Sequence, residues 1–472
     1  MADRQELIDK SACEMVELLD AGEISPDDAL DTLEARIAQV DRQVNALPTL
    51  CFERARDQTR RLRDIPPADR GLLRGLPVPI KDLTNVAGVR TTFGSKLLED
   101  NTPDITGAVA QTLENNGAVI YAKSNTPEFG TGGHTFNDVF GTTRNPHDLS
   151  KSAGGSSGGA AAALASGTAW LAHGSDMAGS LRTPASFCGI ASLRPSPGLI
   201  ATDPGNFPFQ FLGQEGPMAR SVEDVALLTD AMCGLSHRAG LSKPAPATSF
   251  LSAARHPRMP QNVAFSPDLD LTQTSREVRE AFDKAMKTLA GSGMDLEETH
   301  PDLSDAEEAF TLQRALIYAG NLGGDLEKTR NTLKPEVVWN VEKGLAAGGD
   351  EIRSALMAQG RVFESAAGFM QDHDVFVCPA TIVSPFPAEE RYPGSSSGVP
   401  ISDYYGWLKI VYAITATSLP VITIPCGRTA DGLPLGIQLV GKPHGEQALF
   451  SIARYLEEIF GWDLVPVDPA RR

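Results

Sequence analysis

Apolar residues recur at helical spacing through the first sixty positions, and the spacing predicts helices over Glu6–Ala21, from Pro26 to about Val40, and over Cys51–Arg63. Ser25 before Pro26, with Asp27 and Asp28 in the following turn, is a helix start: a hydroxyl to cap, a proline at the first helical position, and acids near the positive end of the helix dipole. From Leu76 onward the pattern changes to short apolar runs alternating with helical ones. The run ending at Lys81 reads as a strand, Thr106–Asn115 as a helix before a strand at Ala118–Lys123, and Gly158–Ala165 as a helix before a strand at Thr168–Ala172. Such alternation predicts α/β layering around a largely buried sheet. Residues 240–257 read as a loop, 275–370 as mostly helical, and 385–402 as a mobile loop rich in proline, glycine and serine. Neither loop reads as a linker, because strand and helix patterns resume that need the earlier sheet as partner. There is no internal repeat. One large domain over 1–472 is expected, with N-terminal helices in 1–65, a core in 66–235, and helical and closing strand segments in 236–472.

Composition narrows the function classes. A chain of 472 residues with 41% hydrophobic residues can bury a large core. Its formal charge of −18 disfavours nucleic acid and anionic membrane surfaces, both of which require a basic face. The six cysteines (Cys13, Cys51, Cys188, Cys233, Cys378 and Cys426) include no Cys-x-x-Cys pair, so reduced thiols in a cytoplasmic protein are expected. Cys188 reads as a small buried hydrophobe rather than a nucleophile. The N-terminal residues from Met1 to Glu6 show no basic segment leading into an apolar one. The apolar stretch Ile410–Pro425 is too short and too polar for a membrane span.

Two glycine-rich segments carry the candidate chemistry. Gly154-Gly155-Ser156-Ser157-Gly158-Gly159 is followed by Gly174-Ser175-Asp176-Met177-Ala178-Gly179-Ser180-Leu181-Arg182-Thr183-Pro184. Two serines on separate turns, with no histidine at a suggestive spacing, need another base, and Lys81 in Gly75-Leu76-Pro77-Val78-Pro79-Ile80-Lys81-Asp82 can supply one. A lysine acts as a base only when neutral, and apolar neighbours such as Val78, Ile80 and Leu83 favour that form by desolvation. The other reading of Lys81 is an ion pair with an acid such as Asp82. A flexible Gly/Ser linker at 154–159 does not fit, because Ala160–Leu164 continues as helix-forming sequence.

These segments resemble the amidase signature family, hydrolases with a Ser–cis-Ser–Lys triad. The lysine-to-serine spacing, Ser25-Pro26 with Ala35-Arg36-Ile37, and Gly432–Gly441 as a closing strand carry the resemblance to both ends of the chain. It implies a single α/β/α sandwich on a mixed sheet and hydrolysis of a carboxamide, or of a related anilide or carbamate C–N bond, with a linear amide as the expected class. It implies Ser180 as nucleophile, Ser156 as proton relay after a cis peptide, and Lys81 as base. The backbone amides of Met177, Ala178, Gly179 and Ser180 would form the oxyanion hole, with Ser157, Asp176 and Arg182 in support. Asp176 and Arg182 also read as an ordinary buried ion pair. Ala178 stands where the family commonly has glycine, and would be strained there if the position needed a positive φ. Phe129, Gly130, Thr131 and Gly132 resemble a pocket-lining segment, although a plain loop fits them too.

No cofactor or metal is implied: His134, His147 and His173 lie near the motifs without metal-ligand spacing. A small-molecule amide is the expected partner, with the chain acting as a monomer or homo-oligomer and without an obligatory partner subunit. Three other readings compete. Gly155-x-Ser157-x-Gly159 fits the nucleophile elbow of α/β-hydrolase esterases, which needs a preceding strand, where 145–151 reads as loop, and a downstream histidine such as His300, His373 or His444. The glutaminase subunit of a tRNA-dependent amidotransferase usually carries glutamine where this chain has Thr183. A catalytically dead binding scaffold would be expected to lose a triad member, and none is lost. Pocket walls are expected from 129–140, 200–215, 310–345 and 395–415. Phe207, Phe209 and Phe211 read equally as an aromatic wall or as core.

Overall fold

The computed structural model describes residues 4–66, 69–203, 205–394, 397–401 and 403–469. The readings at Met1–Asp3, Pro204, Ser395, Ser396 and Ser402 therefore lie outside the described residues. In chain order the principal strands are β1 (Thr49–Leu50), β2 (Pro77–Lys81), β3 (Val119–Ser124), β4 (Leu171–Asp176), β5 (Ala191–Arg194) and β6 (Gln214–Ala219). They continue with β7 (Asn262–Phe265), β8 (Asp295–Glu298), β9 (Val375–Pro379), β10 (Val421–Arg428) and β11 (Pro434–Val440). Eight of them form one sheet in the order β8-β7-β9-β11-β10-β5-β6-β4. It is mixed: β7 runs parallel to β8 and β9, and the other neighbours are antiparallel. A second sheet, β1-β3-β2, brings β2 alongside β4 at the edge of the first.

Strand alternation explains the layers. On β9, Val375 and Val377 point into one apolar cluster while Phe376 and Cys378 point into another. Helices Gly158–Ala165, Val222–Met232, Arg276–Gly291 and Glu446–Phe460 cover the first face. Helices Ala306–Leu322, Gly349–Phe369 and Lys409–Ala416 cover the second. Both faces of the sheet are thus buried, as the alternation of strands and helices predicts, and the layers form the α/β/α sandwich that the resemblance implies. The helix Gly158–Ala165 is buried on every side. That is why its composition is nearly all alanine and glycine, with no polar stripe.

Several local expectations are refined. The helix expected over Glu6–Ala21 breaks at Ser11, whose Oγ accepts from the Glu14 N–H while the Glu14 carboxylate accepts from the Ser11 N–H. Ser25 and Asp28 form the same reciprocal cap on Pro26–Val44. The strand expected at Thr168–Ala172 runs instead over Leu171–Asp176 and so carries His173 and Ser175 into the sheet. Within 240–257 there is a helix at Phe250–Ala254, and within 275–370 a strand at Asp295–Glu298. Pro434–Val440 is the last strand in sequence but pairs on both sides, with β9 and β10. The segment 145–151, read as loop, contributes to a strand at Asp148–Ser152, paired with Arg144–Asn145 outside the main sheet. Among the described residues, 385–402 holds neither α-helix nor ladder strand, and no helix is long and apolar enough to cross a membrane.

Candidate active site

The seam between the two sheets places the site. Lys81 ends β2 with its side chain fully buried. Its Nζ lies 2.7 Å from Ser156 Oγ, 2.8 Å from Ser157 Oγ, 3.1 Å from Ser175 Oγ and 3.2 Å from the Ser175 carbonyl. Its backbone N–H donates to His173 Nδ1 at 3.2 Å, which leaves the hydrogen on Nε2 to face Glu215 Oε2 at 2.8 Å. Burial pushes the Lys81 ammonium down to about 7, against the opposing pull of Glu215 and Asp176. Asp82, next in the chain, points to the other side of the strand. There it accepts from the Thr92 N–H and hydroxyl and faces Lys123 Nζ at 3.5 Å. The Lys81–Asp82 ion pair is therefore not formed.

Both glycine-rich segments fold around this amine. Gly154 has φ 75°, and a Cβ there would stand 2.8 Å from Pro184 Cα; the following Gly155–Ser156 peptide is cis. The second segment turns sharply after β4. Gly179 has φ 95° and no room for a side chain, since a Cβ would lie 2.4 Å from Val411 Cγ2. The positive φ thus falls on Gly179, while Ala178 is outside the left-handed region and fits without strain.

Asp176 organises the turn. Its Oδ1 accepts from the Gly179 N–H (2.9 Å) and Arg182 Nη2 (3.0 Å), and its Oδ2 from the Leu181 N–H (3.0 Å) and Arg182 Nε (3.0 Å). Arg194 Nη1 adds a contact at 3.3 Å. Burial alone would raise the carboxyl, but the two guanidiniums hold it well below the usual carboxylate range. Arg182 goes on to bond the Val411 carbonyl, Gln438 and Thr415. Asp176 and Arg182 are therefore both a buried ion pair and the brace of the serine turn. One expectation needs correcting. The Gly179 N–H is spent on Asp176, so it is not available to an oxyanion, whereas the N–H groups of Met177, Ala178 and Ser180 have no partner among the described residues.

Ser156 and Ser180 open onto a cavity of about 280 Å3. Ser157 does not line it: its hydroxyl is enclosed with Lys81 and the Ser175 carbonyl. Phe129, Gly130 and Gly132 line the cavity. Thr131 lies behind that wall, fully buried, with its Oγ1 2.7 Å from Tyr318 Oη. Of the three phenylalanines, Phe207 lines the cavity, Phe209 is 69% exposed, and Phe211 packs on the core. His134 bonds Ser152 and the Ala388 carbonyl, and His147 the Cys188 carbonyl. Among the described residues no three His, Cys, Asp or Glu side chains gather as a metal site would, and the six cysteines are unpaired. Sequence reasoning set His173 near the motifs without giving it a contact, and missed Ser175, Glu215 and Arg194 as neighbours of the site. The alternation of His173 and Ser175 along β4 was the available signal once that strand is placed correctly.

The defining pattern of the amidase family matches residues 28–450. The chain belongs to this family, that of the amidase signature enzymes. An acylamidase of Rhodococcus erythropolis is 31% identical over 471 residues, covering 97% of each chain. A component of the glutamyl-tRNA(Gln) amidotransferase of Picosynechococcus sp. is also 31% identical, over 91% of this chain and 93% of its own. The fold matches that of a bacterial aryl acylamidase of the amidase signature family with a TM-score of 0.89, at 23% identity over 97% of this chain and 98% of the other. Against this family background the elbow reading of Ser157 lapses, since that hydroxyl contacts lysine rather than histidine and is closed off from the cavity.

Proposed function

We propose that the chain hydrolyses a linear carboxamide, or a related anilide or carbamate C–N bond, through an acyl-enzyme on Ser180. Family membership supports amide hydrolysis as the reaction class, and the 2.7 Å approach of Lys81 Nζ to Ser156 Oγ carries the assignment of the base. Neutral Lys81 draws the proton of Ser156, which takes that of Ser180 as its Oγ adds to the substrate carbonyl carbon. The hydroxyls of Ser156 and Ser180 are not hydrogen-bonded to each other; such contacts commonly tighten only around bound substrate. The N–H groups of Met177, Ala178 and Ser180 receive the developing oxyanion. Removing one such donor typically costs about 10²–10³ in kcat. As the C–N bond breaks, the proton returns through Ser156 to the departing amine. Water then attacks the ester along the same path and frees Ser180.

The chain is proposed to act as one folded unit, monomeric or homo-oligomeric, on a small-molecule amide in the cytoplasm. The amidotransferase reading draws on relatives such as the Picosynechococcus protein, but Thr183 stands where the glutaminase component usually carries glutamine. The purified chain, assayed alone on acyl-p-nitroanilides, primary amides and carbamates, is expected to hydrolyse at least one class and to use glutamine poorly. Activity only in the presence of a second protein, and with glutamine preferred, would reverse the two readings.

A further inference from the structure

Four charged residues line the cavity: Asp176, Asp203, Glu215 and Arg314. The three acids already have donors. Asp176 holds Arg182 and Arg194, Asp203 accepts from the Ala108 N–H (3.1 Å) and faces Arg238 at 3.2 Å, and Glu215 accepts from His173. Arg314 differs. It is 5% exposed, and among the described residues it pairs with no carboxylate. Its Nη1 donates to Tyr404 Oη at 2.7 Å, and the guanidinium lies over the rings of Tyr318, Tyr404 and Tyr405, 5.2, 5.5 and 5.7 Å from their centroids.

A buried cation is expected to be paired, since desolvation is expensive and aromatic faces return only part of the cost. Tyrosine hydroxyls satisfy only part of a group with five N–H donors in a rigid fork. That fork matches a carboxylate bidentately. Its placement also serves a ligand. Arg314, Ile317, Tyr318 and Asn321 lie at helical spacing on Ala306–Leu322 and together present one face to the cavity that holds Ser156 and Ser180. The Tyr318 hydroxyl is pinned by Thr131, which keeps the ring beneath the guanidinium.

We propose that Arg314 binds a carboxylate of the substrate, so that the amides this site turns over carry an anionic group away from the scissile bond. The inference rests on the amidase reading of the cavity and names its substrate class. A charge-assisted hydrogen bond of about 1.5–3 kcal/mol corresponds to roughly a 10- to 100-fold preference.

Two substrate pairs test it. With the charge on the acyl side, glutaric acid mono-p-nitroanilide is compared with pentanoyl-p-nitroanilide; with the charge on the amine side, 4-acetamidobenzoate with 4-acetamidotoluene. In one pair the anionic member should be favoured roughly 10- to 100-fold in kcat/KM, chiefly through KM. The ratio should collapse in Arg314→Met and be partly kept in Arg314→Lys. The same pairs titrated calorimetrically against Ser180→Ala give the affinity ratio without turnover. Ratios near one in both pairs overturn the inference even where neutral amides are hydrolysed. A preference in binding that is lost in Arg314→Met, with no amide turned over, would sustain the carboxylate site and overturn the amidase reading instead.

Discussion

Lys81 Nζ and Ser156 Oγ stand 2.7 Å apart although 75 positions separate them in the chain, and the acid next to Lys81 faces the opposite side of its strand. The amine is therefore buried among hydroxyls rather than paired with a carboxylate, and burial, not a charge partner, sets its protonation. From this the chemistry and the pH behaviour follow together.

In the proposed mechanism Lys81 must be neutral to accept a proton, and burial pushes it down to about 7. Activity should thus rise as pH increases through about 7 and fall away on the acid side. The Glu215 carboxylate opposes this shift, so Glu215→Gln should move the acid limb of kcat/KM to lower pH. A limb that moves upward, or a profile flat from pH 5 to 8, would contradict the assignment of Lys81.

Lys81→Ala and Ser156→Ala should each reduce kcat by several orders of magnitude, and the double variant should lose little more than either alone. Groups that act on one proton path are grossly non-additive. Single-turnover rates for the three variants check this, and full additivity would separate the two residues into independent roles.

Asp176→Asn should destabilise the fold by about 3–5 kcal/mol, because it leaves the buried guanidiniums of Arg182 and Arg194 without their counter-charge. Denaturant unfolding measures the loss. It should be accompanied by weaker catalysis, since the Gly179 and Leu181 N–H groups that fix the serine turn lose a charged acceptor. A variant of unchanged midpoint would contradict the brace.

Burial pushes His134 down from 6.5 to about 4, where it bonds Ser152 and the Ala388 carbonyl. A depressed histidine favours the neutral form in the folded chain. Its stabilising effect is present above pH 6.5 and is lost as pH falls from there toward about 4, by about 3 kcal/mol in all. His134→Gln should flatten that part of the stability profile, measured as denaturant midpoints between pH 7 and 4. Equal slopes in both proteins would contradict it.

The site was legible in the sequence where chemistry is local and less so where it depends on packing. The capped start at Ser25, the strand ending at Lys81 and the two glycine-rich turns are each written in consecutive residues, and the structure brings them together. The fate of the Gly179 N–H was not legible, because it depends on which way the Asp176 carboxylate turns under the pull of two arginines. Thr131 was misplaced for a similar reason. Alternation within a loop does not say which side faces a cavity, and its hydroxyl turned inward to Tyr318. The strand carrying His173 and Ser175 was set three residues too early, since Ala169–Ala172 is apolar throughout and gives no periodicity to fix its start. Arg314 sits in a region legible only as helical; what makes it unusual is the lack of an acid partner among the described residues, which only the folded chain shows.

The central claim is that Ser180 is the nucleophile, and covalent capture tests it most directly. The protein is treated with a fluorophosphonate, and the modified peptide is mapped by mass spectrometry in the parent and in Ser180→Ala. One adduct per chain is expected, on Ser180, absent from the variant, with both proteins equally folded by circular dichroism. An adduct on Ser157, or labelling that persists in Ser180→Ala, would contradict the account.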